Sequence, residues 1–459
     1  LRLLLNNKIL YVIYLSLFFV SCKSISKEEI GQEEGEHPNI IIIFTDDQGY
    51  ADVGSYGAKM FDTPNIDSLA SAGIRFTDFY AAASVCTPSR AALLTGCYPK
   101  RVGLHESVLR PYSKTGLSSN EYTMANMLSD AGYQTACVGK WHLGHHTEFM
   151  PNNQGFDYYF GVPYSNDMDS YYYSDVDFKS PPLPLYENRK EIESGPDQRY
   201  LTKRFTDKAI NFIEDQEGPF FLYLAHIMPH VPLSVSENFQ GKSAYGIYGD
   251  VITEIDWNVG RLVSFLKDKG IYDNTIIVFT SDNGPHRAKQ KGSAKPLRGW
   301  KTETWEGGFR VPGIISWPAK ITPNVVSDEV VTTMDLLPTF SKIVHGNVVK
   351  ERSYDGRDLS AYLYDTTINI EDSPFYYYGV DGVVEAVRLG KWKLHVSKNK
   401  RHSTDEKFPL SLYNLEKDVG ETINKAEDYP EIVEKLQGLI HSFDKKITLE
   451  SRPVGKIDY

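Results

Sequence analysis

"NIIIIFTDDQG", Asn39 to Gly49, is an uninterrupted apolar run that ends in two acids and a glycine. Consecutive apolar side chains leave neither face of a strand polar, which is the pattern of a strand buried on both sides in a parallel sheet. "NTIIVFTSDNG", Asn274 to Gly284, repeats the plan, so each run closes on an acidic pair: Asp46-Asp47 and Asp282-Asn283. Further strands are expected at Tyr133 to Gly139, Phe220 to His226 and Gly313 to Trp317. Helical patterns fall between them, in "ALLTG" after Cys86, at Thr123 to Gly132, Leu201 to Gln216 and Val251 to Gly270. Strands alternating with helices imply an α/β fold, a mostly parallel central sheet sandwiched by helices. Ligands of such sheets bind beyond the carboxyl ends of the strands, where the acidic pairs lie.

The end of the chain changes character. Pro374 to Ser397 and Leu410 to Asp418 read as short strands joined by turns, followed by a helix near Tyr429 to Ile447. They predict a smaller C-terminal α+β subdomain carrying an antiparallel sheet, with the division at residues 38–350 and 351–459.

Composition narrows the function. The chain has 459 residues, 41% of them hydrophobic and 24% charged, enough for a large core. A net charge of −11 without a basic run gives no nucleic-acid groove, and an anionic substrate needs a local positive site. Thirty tyrosines suit surfaces that stack on sugars, with core packing as the plain alternative. At the N-terminus, Arg2 and Lys8 precede an apolar stretch from Ile9 to Val20 that is short for a membrane span and reads as an export signal over residues 1–22. It ends in Ser21-Cys22, similar to a lipoprotein signal in which the cysteine is acylated to the membrane; plain secretion is the alternative. Residues 23–37 form a polar tether. The expected location is the periplasm or the outer membrane.

Four cysteines make no disulfide framework: Cys22 is the anchor candidate, Cys97 and Cys137 can pair or stay buried thiols, and Cys86 needs its own account. "CTPSR", Cys86 to Arg90, runs into the short apolar helix, and Pro88 suits a first helical turn. That puts Cys86 at a helix N-terminus, where free N–H groups favour anions. Three carboxylates and an amide oxygen converging at neighbouring strand ends repel one another unless a cation lies between them. An oxygen-only donor set suits Ca²⁺ or Mg²⁺ rather than Zn²⁺. One acidic pair alone reads better as a turn or helix cap. Arg90, Lys140, His142, His226, His230 and Lys301 supply positive charge in similarly short motifs. Lys140 and His142 are two residues apart and share a face on an extended segment. The set describes a metal-assisted site for a small tetrahedral oxyanion.

Cys86-Thr87-Pro88-Ser89-Arg90 with "AALLTG" resembles the signature of the type I sulfatases of the alkaline phosphatase superfamily. "FTDDQG", "GYQTACVGKWHLG", "GVPYSNDM", "PHVPL", "TSDNG" and "LRGWKTETWEGGFRVP" match the family's other blocks in order. The resemblance implies that a maturation enzyme converts Cys86 to formylglycine, whose hydrate is the nucleophile. It implies a Ca²⁺ site of Asp46, Asp47, Asp282 and Asn283 completed by residue 86. Arg90 is expected to fix the hydrate, with Asp282 a proton acceptor. Lys140, Lys301 and His230 are expected to bind sulfate, with His230 or Lys301 the acid, and His142 to take the proton that lets sulfate leave. Ser165 and His226 are expected near the substrate. The resemblance also implies sulfate-ester hydrolysis, here by an exported enzyme on sulfated carbohydrate such as ulvan, carrageenan or glycosaminoglycan fragments. The segment Tyr164 to Phe178 is a candidate sugar pocket. The rival readings are a phosphoester or phosphonate hydrolase and a non-catalytic glycan-binding lipoprotein.

Overall fold

The computed structural model describes residues 37–169, 180–287, 292–348, 352–397 and 408–457. The export signal, Cys22, the tether up to residue 36 and the part of the aromatic segment from residue 170 to Phe178 lie outside the described residues. Among the described residues no helix is long and apolar enough to cross a membrane.

The opening stretch forms the strand Asn39–Thr45, every residue of it buried. Ile40, Ile42 and Phe44 face one hydrophobic layer and Ile41 and Ile43 the other, the two-residue period of a strand covered on both sides. Thr275–Ser281 pairs with it in parallel on one side and Phe220–Ala225 on the other. Gln134–Lys140 and Tyr158–Val162 continue the parallel run. Antiparallel pairings bring in both edges of this ten-stranded sheet: Gly313–Ser316 beside Thr275–Ser281 and Gly73–Phe76 next to it, with Val325–Ser327 outermost and parallel to Gly73–Phe76, and the hairpin Pro184–Glu187 with Lys190–Ser194 beyond Tyr158–Val162.

One face is covered by Pro64–Ser71, Leu201–Glu214 and Ile247–Asp268, through side chains such as Leu69, Phe205 and Ile255. The other is covered by Cys86–Thr95, Met124–Asp130 and Leu336–Ile343, through Leu93, Leu128 and Phe340. The expected sandwich is therefore present. The expected antiparallel sheet is present too, as Phe375–Tyr378, Val384–Leu389, Trp392–His395 and Ser411–Asn414. The helix Pro430–Leu449 packs on it through Val433, Leu436 and Ile447. This sheet shares a core with Tyr80, Ala92 and Phe309, and His37–Tyr459 forms one compact unit. Much of the tyrosine content is packing: Tyr80, Tyr159, Tyr223, Tyr248 and Tyr377 have no exposed surface.

The register delivers the acids. Thr45 pairs with Ser281, so Asp46-Asp47 and Asp282-Asn283 leave adjacent parallel strands at the same level. Gly139 pairs with Ala225, which sets Lys140 beside His226 one residue further on.

Candidate active site

The helix Cys86–Thr95 begins at Cys86, after an extended Val85. Its first turn points at the acidic strand ends: Cys86 Sγ lies 3.3 Å from Asp46 Oδ1, to which it donates, and 3.4 Å from Lys301 Nζ. The residue is 1% exposed. Burial, and then the Asp282 and Asp46 carboxylates, push its thiol well above the usual range. As encoded, Cys86 is a neutral thiol and a poor nucleophile.

Asp46, Asp47, Asp282 and Asn283 are all fully buried. Asp46 Oδ2 accepts from Lys140 Nζ at 2.5 Å, and Lys140 also donates to Ser165 Oγ at 3.2 Å. Asp47 adopts a left-handed backbone, φ 63°, that turns its side chain back over the strand ends. Its Oδ1 accepts from Lys301 Nζ at 2.5 Å and from Asn283 Nδ2 at 2.7 Å, and its main-chain N–H donates to Asp282 Oδ1 at 3.0 Å. Arg90 spans the floor, donating through Nη2 to Asp282 Oδ2 at 2.8 Å and through Nη1 to the Lys140 carbonyl at 3.0 Å.

Three acids, Asp46, Asp47 and Asp282, thus face three bases, Arg90, Lys140 and Lys301. Burial works against the Asp46 carboxylate, yet Lys140, His230 and Arg90 hold it well below its usual range. Asp282 is pushed up to about 7, first by burial and then by Asp46. Asp47 Oδ2 and Asn283 Oδ1 are buried oxygens without a hydrogen-bond partner. Unpaired buried acceptors of this kind, among hard oxygen donors, fit a divalent cation. One ligand atom each from Asp46, Asp47, Cys86 and His230 lies within 4.8 Å of the others, so this cluster can hold a metal ion. His230 enters it although its sequence block pointed to sulfate; Asp282 and Asn283 adjoin it through their bonds to Asp47.

The histidines are held in defined tautomers. His142 Nε2 lies 2.9 Å from the Leu109 carbonyl, which requires the hydrogen on Nε2, and leaves Nδ1 buried without a partner. Burial, then Lys140, keep this ring well below its ordinary range and neutral. His142 has φ 59°, so the segment after Lys140 is not extended, contrary to expectation. The strand ends at Lys140, and the reversed backbone at His142 is what turns the ring toward the cavity. His230 places Nδ1 2.5 Å from the Val231 carbonyl, and its Nε2 faces Asp47 Oδ2 at 3.7 Å. Burial, then Lys301, lower its pKa.

Above this floor opens a cavity of about 230 Å³ lined by Cys86, His142, Ser165, His230 and Lys301. Arg90, Lys140 and the acids lie beneath it. His226 is buried with neither ring nitrogen bonded and is not part of the cavity lining, so it has no face toward a substrate there. The sequence reading missed Asp167, Arg110, His286 and Val380 on the walls. Asp167 stands in the quoted "GVPYSNDM" block and was legible. Val380 arrives on a turn of the C-terminal sheet, which no local signal announces. Among the described residues the cysteines are free: Cys97 and Cys137 are both buried and unpaired.

An α/β sheet presenting a helix N-terminus, a buried acid cluster and converging cations beneath one cavity defines a hydrolase of anionic esters. The chain belongs to the sulfatase family, whose profile matches residues 38–346, and it is a sulfuric ester hydrolase. It is 38% identical to arylsulfatase A of Homo sapiens over 442 residues, 88% of this chain and 87% of that protein. Its fold is similar to the crystal structure of PsFucS1 sulfatase from Pseudoalteromonas sp., with a TM-score of 0.82 and 28% identity over 92% of this chain and 93% of that one. It is similar also to Ps i-CgsB in complex with k-i-k-neocarrahexaose, with a TM-score of 0.81 and 30% identity over 91% and 94% of the two chains.

Proposed function

We propose that this sulfatase removes ester sulfate from carbohydrate, with calcium at the acid cluster and Cys86 matured to formylglycine by a dedicated enzyme. The observation that carries the reading is the convergence of the Asp46 carboxylate and the Lys301 ammonium on one buried atom, Cys86 Sγ, at the base of the cavity. Calcium held by Asp46, Asp47, Asp282 and Asn283 supplies Lewis-acid charge beside residue 86. Formylglycine as its hydrate supplies an oxygen nucleophile with a second hydroxyl, which a thiol lacks.

The other tasks fall to the encoded side chains. Lys301 and Lys140 offset charge on the sulfate oxygens from the cavity wall and floor, with Ser165 beside Lys140. Arg90 holds Asp282, and through it the Asp47 turn, under residue 86. His142 accepts a proton at Nδ1, because the Leu109 carbonyl occupies Nε2–H. His230 has its Nδ1 committed to the Val231 carbonyl, so Nε2, which faces Asp47, is the nitrogen left to exchange a proton with the leaving alcohol.

The carbohydrate reading is supported by similarity to Ps i-CgsB, a protein solved in complex with k-i-k-neocarrahexaose. Export and a lipid anchor at Cys22 are proposed with it, as a polymeric substrate is met outside the cell. Matured protein, assayed on carrageenan, ulvan and glycosaminoglycan oligosaccharides beside 4-nitrophenyl sulfate and 4-nitrophenyl phosphate, is expected to release sulfate from at least one sugar. Cleavage of the aryl sulfate alone would overturn the carbohydrate assignment, and faster cleavage of the phosphate would overturn the sulfatase chemistry.

A further inference from the structure

Lys301 reaches the floor from a loop, Arg298 to Glu306, whose two feet are drawn together by a hydrogen bond from Gly307 N–H to the Arg298 carbonyl. At its apex the Lys301 N–H donates to the Pro285 carbonyl and the Thr302 N–H to the Ser84 carbonyl. On the far side both feet bond to Glu421. The Arg298 guanidinium donates to the Glu421 main-chain carbonyl at 2.7 Å, and the Glu306 N–H donates to Glu421 Oε2 at 2.8 Å. The other carboxylate oxygen accepts from Lys393 Nζ at 2.9 Å and from His395 Nε2 at 3.0 Å, both on the C-terminal sheet. Lys393 also donates to Glu306 Oε1 at 2.9 Å, closing a triangle with Glu306 and Glu421.

Glu421 itself carries the marks of a constrained residue. It is fully buried, and its backbone is left-handed, φ 52°, although it is not glycine. Such strain persists where the surroundings over-determine it. A buried carboxylate is also costly unless paired, and this one is matched donor for acceptor. It lies beyond residues 38–346, outside the part of the chain that the family profile covers.

We propose that Glu421 is the positioning residue for Lys301: the C-terminal sheet uses its carboxylate and carbonyl to clamp both feet of the loop. This rests on the role assigned to Lys301 above. A lysine displaced by about 1 Å from its working position loses up to 10²-fold in rate without any change of chemistry.

The test is a double-mutant cycle on matured protein with 4-nitrophenyl sulfate, each variant shown to be folded at the assay temperature by its thermal transition. Glu421→Gln is expected to lower kcat about tenfold or more, and Lys301→Ala to lower it further. In the Lys301→Ala background, Glu421→Gln is expected to change kcat by less than about twofold, because independent sites add and sites acting through one another do not. The same loss in both backgrounds would show a general structural role and overturn the proposal. Unchanged turnover in Lys301→Ala would instead remove the catalytic role of Lys301, and this proposal with it. Should Glu421→Gln not fold, Glu421→Asp keeps the charge, shortens the reach by one methylene and is read by the same cycle.

Discussion

The Thr87 hydroxyl donates to the main-chain carbonyl of His142 at 2.8 Å, tying the residue after Cys86 to the ring that stands over it. The same oxygen accepts the Leu109 N–H at 3.2 Å, and the Leu109 carbonyl accepts from His142 Nε2 at 2.9 Å. Three hydrogen bonds thus form a closed circuit through Thr87, Leu109 and His142. It fixes both the left-handed backbone of His142 and the tautomer that leaves Nδ1 unprotonated.

Thr87→Val keeps the shape and removes the oxygen, leaving the buried His142 carbonyl unpaired at about 1–3 kcal/mol and the partly buried Leu109 N–H without this acceptor. The variant is expected to fold with a lower thermal midpoint. Its kcat, corrected for the formylglycine content measured by peptide mass, is expected to fall about tenfold, a cost in the range of a mispositioned proton acceptor. Thr87→Ser, which keeps the hydroxyl, should restore most of it. A folded Thr87→Val enzyme with wild-type kcat would show that the circuit does not position His142.

Lys301 and His230 both border the cavity and the Asp47 carboxylate. Burial works against the charge on Lys301, yet Asp47 holds its pKa well above the ordinary value, so it stays an ammonium. Loss of such a charge-stabilising donor costs roughly 10²- to 10³-fold in rate. Lys301→Ala and His230→Ala should each lower kcat on that scale in steady-state assays. A rise in KM with kcat preserved would assign them to substrate holding alone.

Much of this arrangement is written locally. Asn39–Thr45 and Thr275–Ser281 are legible because burial on both faces leaves an unbroken apolar run, and the acids that end them belong to the same short segments. The short strands Gly73–Phe76 and Val325–Ser327 toward one edge are not, since three or four residues carry too little periodicity. The strand Lys190–Ser194 is solvent-facing and polar, and resembles a loop. Glu421 stands in "DVGETIN", an ordinary polar stretch. Its importance comes from contacts with Arg298 and Glu306, more than a hundred residues away, and no local pattern encodes those.

Asp47 offers an unpartnered oxygen and braces Asn283 and Lys301. Asp47→Ala is therefore expected to lose bound calcium and activity together, the first read by metal analysis of the purified protein and the second by sulfate release. Chelation of the wild type followed by calcium should remove and restore turnover. Full turnover in an Asp47→Ala protein shown to be metal-free would refute the calcium site.

Asp52 holds the turn behind Asp47, accepting from Gly49 N–H at 2.8 Å, Ser293 N–H at 2.9 Å and Tyr248 OH at 2.5 Å. Burial nonetheless raises its pKa from 3.8 to about 7. The folded state therefore binds this proton more tightly than the unfolded chain. The contribution of Asp52 is fully present below about pH 4 and is lost as pH rises through about 7. Three pH units correspond to a loss on the order of 4 kcal/mol. Urea midpoints of Asp52→Asn should fall less steeply than those of the wild type between these limits. Parallel curves would mean that Asp52 does not titrate in that window.

Cys86 is the decisive residue. A buried thiol among carboxylates stays protonated, and sulfur carries no second hydroxyl with which to expel sulfate. Protein made with a formylglycine-generating system should yield a residue-86 peptide lighter than encoded and reactive toward hydrazides, with activity proportional to that fraction. Cys86→Ala should fold and bind calcium, because Asp46, Asp47, Asp282 and Asn283 remain, yet turn over little or nothing. A preparation carrying only the encoded thiol but releasing sulfate at the full rate would exclude formylglycine, and would transfer the nucleophile's role to water activated at the same acid cluster.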